Sequence, residues 1–600
     1  MYSFALTLGE LFFLNKYLLK YKWLYLLGFV FIALSNFFAI MIAPLVRNAV
    51  DSIALRLNFY LLLSDAQFFH LLKKSGMKMA FFFAFLILAA ALLKGIFMYF
   101  MRQTIIVASR YIEYDLKNEI YDQYQKLDKA FYDKNYTGDL MNRISEDVSR
   151  VRMYLGPAIM YTINLFWLFG LILFLMFSIN TQISLLVLIP LPILSVSIYL
   201  ISDIMNKRSD LIQKKLSRLT SFVQEYLSGI RLVKSYALET VFHQRFKSLS
   251  QSYKTDNLSL VKVNALFHPM VMMLVSASII ITVYVGGMAV IEGSFSFGNI
   301  AEYIIYVSML TWPVASLGWV TSLVQRAAAS QKRINDFLKI KPHVKENAHV
   351  EMTPFQNKIE FRNVNFCYQD KTENALKNIS FILQKGKKIG ITGITGSGKS
   401  TILCLLLRQY ENFEGEILMD QNEIRTIENK SFLEKFGYVP QDTFLFSDTI
   451  KNNLCFGLNA MEVDHNEMLE MSKICALHQD VKDFPDQYQT EIGERGISLS
   501  GGQKQRLTLA RALLKKPEVL IIDDGLSAVD TKTEQIVLKN LFTKLPQTTI
   551  IYVSHRVDCF THLDNILVLE NGVIIENGDH HSLMKKKNLY QKLFEMQSEK

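Results

Sequence analysis

The sequence predicts an α-helical membrane domain with six spanning helices, followed by a soluble α/β domain. Three observations support this prediction. The 600 residues are too many for one hydrophobic core. Before about residue 325 the apolar residues come in long runs, and after it they come in short runs of strand length. In this second part, one short apolar run leads into a glycine-rich loop and then into a helical pattern.

The composition places the chain at a membrane. Half of the residues are hydrophobic, 12% are aromatic, and the mean hydropathy is positive. A net charge of +10 would suit nucleic acid or an anionic membrane surface, and the long apolar runs favour the membrane over nucleic acid. All five cysteines lie in the second part without a metal-binding or disulfide spacing, as expected in a reducing cytosol.

Six stretches are long and apolar enough to cross a bilayer, which takes about 20 residues per helix. The predicted spans are 23–46, 79–101, 157–179, 183–205, 264–290 and 300–324. They assign residues 1–330 to the membrane domain, 331–356 to a linker and 357–600 to the soluble domain.

Loop charges orient the predicted spans. The loops between spans two and three and between spans four and five are rich in Lys and Arg, whereas the loop SINTQI between spans three and four carries no charge. Both basic loops and both termini are therefore expected in the cytoplasm, although Arg56, Lys73 and Lys74 follow span one on the expected outer side. The helical pattern of SRYIEYDLKNEIYDQYQKL predicts that the spans continue into the cytosol as long helices.

A phosphate-binding loop opens the second part. In IGITGITGSGKST, Gly393, Gly398, Lys399 and Ser400 fit the pattern G-x-x-x-x-G-K-[ST]. The preceding KKIGIT is expected to form a buried strand and the following STILCLLL a helix, the context this loop requires. Lys399 would reach the β- and γ-phosphates, and Ser400 would bind Mg²⁺. The nucleotide-binding residues predicted in this loop are Gly393, Ile394, Thr395, Gly396, Ser397, Gly398, Lys399, Ser400 and Thr401.

Two further motifs follow the phosphate loop. PEVLIIDD predicts a strand that ends at Asp523, whose carboxylate would hold Mg²⁺ through water. In ISLSGGQKQRLTLARALL a helix is expected to start after Ser500, which can cap it, and the glycines let a phosphate approach. This second phosphate-binding helix start comprises Ser500, Gly501, Gly502 and Gln503. Because the two helix starts lie too far apart to hold one nucleotide, two such domains are expected to face head to tail and complete each other's sites.

Taken in order, these motifs resemble the ATP-binding cassette exporters over nearly the whole chain. Tyr368 in NFCYQD resembles the aromatic residue that stacks on adenine, Gln441 in GYVPQDTFLF the glutamine that senses Mg²⁺, and His555 in YVSHR the switch histidine near the γ-phosphate. Asp530 matches the D-loop, and TEIGERG matches an exporter-specific loop before the signature. In the membrane domain, TGDLMNRISEDVSRVR and EYLSGIRLVKSYALE resemble the two cytoplasmic coupling regions.

The resemblance implies a fold and a set of roles. The membrane domain would have the type IV exporter fold, and the soluble domain would be an α/β P-loop nucleotide-binding domain with ATP and Mg²⁺ as cofactors. Ser400, Gln441 and Asp523 would form the metal site. Asp524, His555 and Gln441 would have the catalytic roles. Binding of two ATP molecules would join two nucleotide-binding domains and switch the membrane half from inward- to outward-facing.

Asp524 departs from the family's pattern, which has a glutamate directly after the strand-end aspartate to polarise the attacking water. The aspartate side chain is shorter by one methylene, so its carboxylate reaches roughly 1.3–1.5 Å less far, and a displacement near 1 Å can cost about 10²-fold in rate. A backbone shift that keeps Asp524 active is the alternative. The expected outcome is a degenerate site beside an intact LSGGQ, a pattern that resembles heterodimeric exporters. Gly525 also departs from the usual alanine.

The predicted function is that of a half-transporter in the bacterial cytoplasmic membrane that exports hydrophobic or amphipathic molecules, as the bacterial multidrug-resistance-like pairs do. The expected partners are a second half-transporter, the lipid bilayer and a small hydrophobic substrate, with no nucleic acid. For the second half-transporter, a heterodimer is favoured over a homodimer. Lipids, drugs and hydrophobic peptides remain open as substrates. The alternatives are a lipid or peptide exporter acting as a homodimer and an ATP-gated channel. The few ionisable residues in the spans argue against a channel, whose pathway would carry rings of charge.

Overall fold

A computed structural model of the chain describes residues 9–62, 66–342, 354–368, 371–458, 463–493, 499–586 and 588–598. They form two compact units. The first unit comprises Met1–Gln125 and Thr137–Ile340, and the second comprises Lys126–Tyr136 and Lys341–Lys600. A short segment of the predicted loop between spans two and three is therefore part of the second unit. It lies immediately before the stretch TGDLMNRISEDVSRVR that resembles a coupling region.

The first unit is helical. A 3₁₀ turn, Glu10–Leu14, precedes its helices, and π-helical turns at Arg143–Asp147 and Tyr154–Ala158 flank α6. With the segment that belongs to the second unit included, the helices are α1 (Asn15–Lys20), α2 (Lys22–Leu62), α3 (Ala66–Lys126), α4 (Lys129–Lys134), α5 (Thr137–Asn142), α6 (Val148–Met153), α7 (Ile159–Ile179), α8 (Thr181–Leu188), α9 (Pro190–Ser228), α10 (Ile230–Ser235), α11 (Glu239–Ile291) and α12 (Phe297–Leu338).

Six helical segments of the described residues are long and apolar enough to cross a membrane, which confirms the six-span prediction. The helices also extend far beyond the apolar stretches, as expected: α3 has 61 residues and α11 has 53. Predicted span four is interrupted at Ile189, because Pro190 has no N–H to continue the hydrogen bonding of α8. Since α12 runs to Leu338, the first residues of the predicted linker are helical.

The core of the first unit is apolar, and polar side chains on different helices pair across it. α12 packs against α2, α7 and α11, and α9 lies along α11. A buried hydrogen bond of 2.8 Å joins the hydroxyls of Ser184 on α8 and Tyr303 on α12. An ion pair of 3.1 Å joins Arg47 on α2 to Glu302 on α12, whose side chain is 2% exposed.

The second unit contains two sheets. The smaller sheet is antiparallel, in the order β2–β1–β4–β5. The larger sheet has the order β10–β9–β3–β8–β7–β6 and is parallel except for β10. The strands are β1 (Lys358–Phe366), β2 (Leu376–Gln384), β3 (Lys388–Gly393), β4 (Phe413–Met419), β5 (Asn422–Glu423), β6 (Phe436–Val439), β7 (Val519–Asp523), β8 (Thr549–Val553), β9 (Asn565–Glu570) and β10 (Val573–Gly578).

Helices cover the larger sheet, and the central strands β3, β7 and β8 are buried along nearly their whole length. This pattern suits parallel strands that are packed on both faces. The helices of this unit are α13 (Lys399–Leu406), α14 (Asn429–Leu433), α15 (Ile450–Leu454), α16 (His465–Ile474), α17 (His478–Lys482), α18 (Gly501–Leu514), α19 (Thr531–Lys544), α20 (His580–Lys586) and α21 (Leu589–Ser598). The predicted strands and helices of the phosphate loop and of PEVLIIDD are confirmed as β3, α13 and β7.

Candidate nucleotide-binding site

Four neighbouring parallel strands bring the predicted residues to one edge of the larger sheet. The phosphate loop follows β3, and Asp523 is the last residue of β7. His555 comes two residues after β8, and Gln441 comes two residues after β6. Because the carboxyl ends of parallel strands meet at the same edge, these residues lie along one edge of the sheet, the edge at which α/β sheets bind ligands.

Glycines set the shape of the phosphate loop. The φ angles of Gly393 and Gly398 are +146° and +99°, a region that side chains disfavour. A Cβ atom on Gly393 would lie 2.1 Å from the carbonyl oxygen of Leu569 on β9, so a side chain cannot fit there. The loop then enters α13 directly at Lys399, which leaves the N–H groups of the first turn free to face an anion.

Lys399 is folded back onto this loop. Its side chain is buried, and its ammonium donates to the carbonyl oxygens of Gly393 at 3.1 Å and Ile394 at 2.9 Å. Burial lowers the pKa of Lys399, while Asp524 and Asp523 act in the opposite direction. The ammonium is thus already inside the loop, and bound phosphate oxygens would be stronger acceptors than these carbonyls.

Ser400 and Asp523 fit the expected Mg²⁺ site. The Ser400 hydroxyl donates to Oδ1 of Asp523 at 3.1 Å. A hydroxyl and a carboxylate oxygen side by side are hard ligands of the kind Mg²⁺ prefers, with phosphate and water as the remaining ligands. Burial raises the pKa of Asp523 and the neighbouring Asp524 adds to this, while the Ser400 hydrogen bond and Lys399 lower it. A bound cation would favour the ionised form.

Asp524 lies in contact with His555. Its Oδ1 accepts the backbone N–H of His555 at 3.2 Å, and its Oδ2 lies 3.3 Å from Nε2 of the same histidine. The backbone of Asp524 is left-handed, with φ +49°, a conformation that aspartate tolerates better than most residues. The side chain of Asp524 is 9% exposed, against 43% for that of His555. Both oxygens of the short carboxylate are therefore turned toward the histidine.

The structure explains why position 525 is a glycine and not the usual alanine, which the sequence alone does not. A Cβ atom on Gly525 would lie 2.5 Å from Cγ1 of Val439 on β6. The loop after β7 therefore lies close to the strand that leads to Gln441, and an alanine would require one of the two to move.

Tyr368 lies beside the phosphate loop. Its hydroxyl is 3.0 Å from the hydroxyl of Thr401 on α13, and its ring packs edge-on against Phe366 with centroids 4.8 Å apart. Gln441 is exposed at the end of β6. The adenine contact of Tyr368 and the metal contact of Gln441 stay predictions.

The second helix start, at α18, is capped as predicted. The Ser500 hydroxyl accepts the N–H of Gln503 at 3.3 Å, and the Gln503 side chain accepts the N–H of Ser500 at 3.0 Å. A Cβ atom on Gly502 would lie 3.1 Å from the carbonyl oxygen of Ala528. Asp530, the matched D-loop residue, caps α19 by accepting the N–H of Thr533 at 2.9 Å. The helix start thus packs on the loop after β7. Residues 494–496 of TEIGERG lie outside the described residues.

Sequence reasoning missed three side chains near the site. Gln597 on α21 donates to the carbonyl oxygen of His555 at 2.7 Å and so holds the histidine loop from the C-terminal end of the chain. Tyr410 lies four residues after α13, and its hydroxyl donates to the carboxylate of Asp133 on α4. No motif marks these residues, since each acts through a partner that is distant in sequence.

Two family models match parts of the chain. Residues 24–314 match the model of the ABC transporter transmembrane region, and residues 376–527 match that of the ABC transporter. The chain is 32% identical to the multidrug resistance-like ATP-binding protein MdlA of Buchnera aphidicola subsp. Schizaphis graminum over 85% of this chain and 88% of that protein. It is 33% identical to the probable multidrug resistance ABC transporter ATP-binding/permease protein YheI of Bacillus subtilis, over 86% and 87%.

Two further comparisons concern a lipid flippase and a solved structure. The chain is 31% identical to the ATP-dependent lipid A-core flippase of Syntrophus aciditrophicus over 84% of both proteins. The structure of a bacterial Atm1-family ABC exporter with ATP bound superposes with a TM-score of 0.73 over 98% of this chain and 99% of that one, at 23% identity. The last similarity concerns the fold alone.

Proposed function

This chain belongs to the ATP-binding cassette exporters, and from that membership we propose that it is one half of a heterodimeric multidrug-like efflux pump whose own ATP site is degenerate. Family membership makes the chain a multi-pass membrane protein and an ATPase coupled to transport. Beyond family membership, the proposal adds the multidrug-like substrates, the pairing with a different half-transporter and the degenerate ATP site. It also adds Mg²⁺ at Ser400, Gln441 and Asp523, and a bacterial cytoplasmic membrane with both termini inside.

One observation supports the degenerate site above all others. The residue expected to polarise the attacking water is an aspartate, and both of its oxygens face His555 at 3.2 and 3.3 Å. A carboxylate that is too short by one methylene and already engaged with the switch histidine is poorly placed for a water on the γ-phosphate. The intact helix start at Ser500 remains available to a partner's nucleotide.

Asp524→Glu is therefore expected to raise the ATPase rate of this chain purified alone, by up to about 10²-fold, since the longer side chain restores roughly the missing reach. The measurement is steady-state ATPase in lipid nanodiscs. Asp420→Glu is the matched control. Asp420 also has a left-handed backbone, and its Oδ1 accepts the backbone N–H of Asn357 at 2.6 Å. It lies about 100 residues before Asp524 in the chain. Equal or lower rates for Asp524→Glu would show that Asp524 already serves as the working base.

The second candidate is a lipid exporter that acts as a homodimer. The names of two relatives favour it, since both are ATP-dependent lipid A-core flippases, at 31% and 30% identity. A homodimer has the same Asp524 in both sites, so it requires this chain alone to hydrolyse ATP at the full rate of the native assembly. A low rate that only a second half-transporter raises favours the heterodimer.

The proposed orientation is open to a labelling test. A cysteine in place of Gln182, which is exposed within the uncharged stretch SINTQI, is expected to react from outside the cell with a membrane-impermeant thiol reagent. A cysteine in place of Lys126, exposed at the end of α3, is expected to stay unlabelled until the membrane is permeabilised. The five native cysteines all lie in the second unit and serve as internal controls. The reverse labelling pattern would overturn the orientation.

A further inference from the structure

A cleft opens at the amino edge of the larger sheet, opposite to the edge that carries the candidate nucleotide site. Its walls are the start of β3 at Lys388, the second half of α19 and a 3₁₀ turn, Val557–His562. Because β3 has six residues, Lys388 lies about 16 Å from Gly393 at the other end of the strand. A ligand in this cleft therefore does not touch the phosphate loop.

The cleft is large enough for a small molecule. Its volume is about 570 Å³, within the roughly 300–1,000 Å³ that is typical of ligand pockets. In the 3₁₀ turn, residues three apart lie on the same side, which brings Cys559 and His562 together in the lining. Another wall is one face of α19, whose residues follow the i, i+3, i+4, i+7 spacing of a helix: Gln535, Leu538, Lys539 and Phe542.

The lining of the cleft is more basic than acidic. It contains the ammoniums of Lys388 and Lys539 and a single carboxylate, that of Asp558. In the part of the chain that the structure describes, neither ammonium forms an ion pair. The carboxylate of Asp564 is instead engaged by the ammonium of Lys387 at 2.9 Å and by the backbone N–H of Lys388 at 2.8 Å. The cleft therefore offers an anion two unpaired cations.

The other side chains of the cleft include apolar ones. Leu538 is 5% exposed, and the ring of Phe542 is partly buried against the core. The ammonium of Lys388 lies 5.4 Å from the centroid of that ring, close enough for a cation–π contact. Burial raises the pKa of the Cys559 thiol, so it remains uncharged. A ligand that fits thus needs an apolar body beside its charge, and a planar ring can pack on Phe542 in the offset or edge-on arrangements that aromatic pairs prefer.

We propose that this cleft is a binding site for a small aromatic anion, such as an aryl carboxylate, separate from the ATP site. Lys388 and Lys539 bind the anionic group, and Phe542 packs against the ring. His562 is exposed and adds an imidazole that can donate a hydrogen bond to the same group. None of these residues belongs to the ATP site, so the cleft keeps this role whether or not Asp524 is degenerate.

The probe for this site is 4-(trifluoromethyl)benzoate, because it carries one carboxylate on a planar ring and reports binding through fluorine NMR. Its Kd is measured on the full chain in lipid nanodiscs, with empty nanodiscs as the blank for partition into lipid. Lys388→Gln and Lys539→Gln are each expected to weaken binding by about threefold to tenfold, the effect of losing one charge-assisted contact that solvent partly screens. The uncharged 4-(trifluoromethyl)benzamide is expected to bind about tenfold more weakly than the benzoate, since it offers the lysines no anion.

The ring contact is tested separately. Phe542→Leu keeps an apolar side chain and removes the aromatic ring, so it is expected to weaken binding of the benzoate by about threefold. Lys544→Gln is the matched control for the lysine variants, because Lys544 is exposed near the end of the same helix but does not line the cleft. It is expected to leave the Kd unchanged.

Lys399→Ala shows whether the probe binds in the cleft or at the phosphate loop, and it is expected to leave the Kd of the benzoate unchanged. Loss of binding in Lys399→Ala would overturn the proposal, because the anion would then occupy the phosphate loop. Native affinity in the Lys388→Gln/Lys539→Gln double variant, equal binding of the benzamide and the benzoate, or no binding by the native chain would also overturn it. Each of these results leaves the proposed function standing, since that function depends on the opposite edge of the sheet.

Discussion

Gly502→Asp is expected to lower the ATPase rate of the assembled transporter by about 10²-fold or more, the scale of losing an oriented donor at a reacting phosphate. In the proposed heterodimer, the competent site pairs the partner's phosphate loop with Ser500, Gly501 and Gly502 of this chain. An aspartate at position 502 adds a negative charge where the partner's γ-phosphate must approach the N-terminus of α18. The measurement is steady-state ATPase of the reconstituted pair.

Two variants separate this charge effect from simpler causes. Gly502→Ala introduces the same Cβ atom, 3.1 Å from the carbonyl oxygen of Ala528, without the charge, so it is expected to retain most of the activity. Asp524→Asn is expected to cost the complex little, because Asp524 belongs to the degenerate site. If Asp524→Asn silences the complex as fully as Gly502→Asp does, Asp524 is a working base and the heterodimer loses its main support.

Lys399→Ala is expected to weaken ATP binding at this chain's own site by about 10- to 10²-fold, since a charge-assisted hydrogen bond to phosphate contributes about 1.5–3 kcal/mol. Photo-crosslinking of a labelled ATP analogue to this chain measures the occupancy. The variant removes a buried ammonium that donates to two backbone carbonyls of its own loop, those of Gly393 and Ile394. Unchanged labelling would contradict the assignment of the phosphate loop.

Lys515→Ala is the matched control for Lys399→Ala. The ammonium of Lys515 also donates to two carbonyl oxygens, of Leu433 at 2.7 Å and Phe436 at 3.0 Å. Burial lowers the pKa of Lys515, as it does that of Lys399. The control therefore reproduces the structural cost of losing such a lysine, away from the phosphate loop, and is expected to leave labelling at the native level.

Elements governed by local rules could be predicted from the sequence. The strand, glycine loop and helix around Lys399 follow from neighbouring residues, and so does the cap at Ser500, where Gln503 three residues on completes a reciprocal pair of hydrogen bonds. The six spans follow from the length of their apolar runs. In each case the residues that determine the structure are close together in the sequence. They lie within one or two helical turns for the phosphate loop and the cap, and within one bilayer thickness for each span.

The parts that could not be predicted depend on distant partners. The sequence shows that Asp524 is short, but not that its backbone is left-handed or that its carboxylate faces His555, 31 residues away. The contact of Tyr410 with Asp133 joins residues 277 apart, and neither belongs to a motif. The sequence places Pro190 inside predicted span four, but the break there was not predicted, because mean hydropathy over a whole span does not register a single proline.

Lys126–Tyr136 packs with residues that come much later in the chain, so the second unit cannot finish folding until those residues have been synthesised. This segment leaves the ribosome long before Tyr410 and the sheet around it are made, so its docking surface is absent throughout that time. Contacts of such long sequence separation form late and slowly, and uncovered segments invite misassembly in multidomain chains. A fragment expressed from residue 341 onward would lack Lys126–Tyr136, so the surface on which that segment packs would be exposed to solvent. Supplying 126–136 as a separate peptide would be expected to raise the thermal stability of such a fragment.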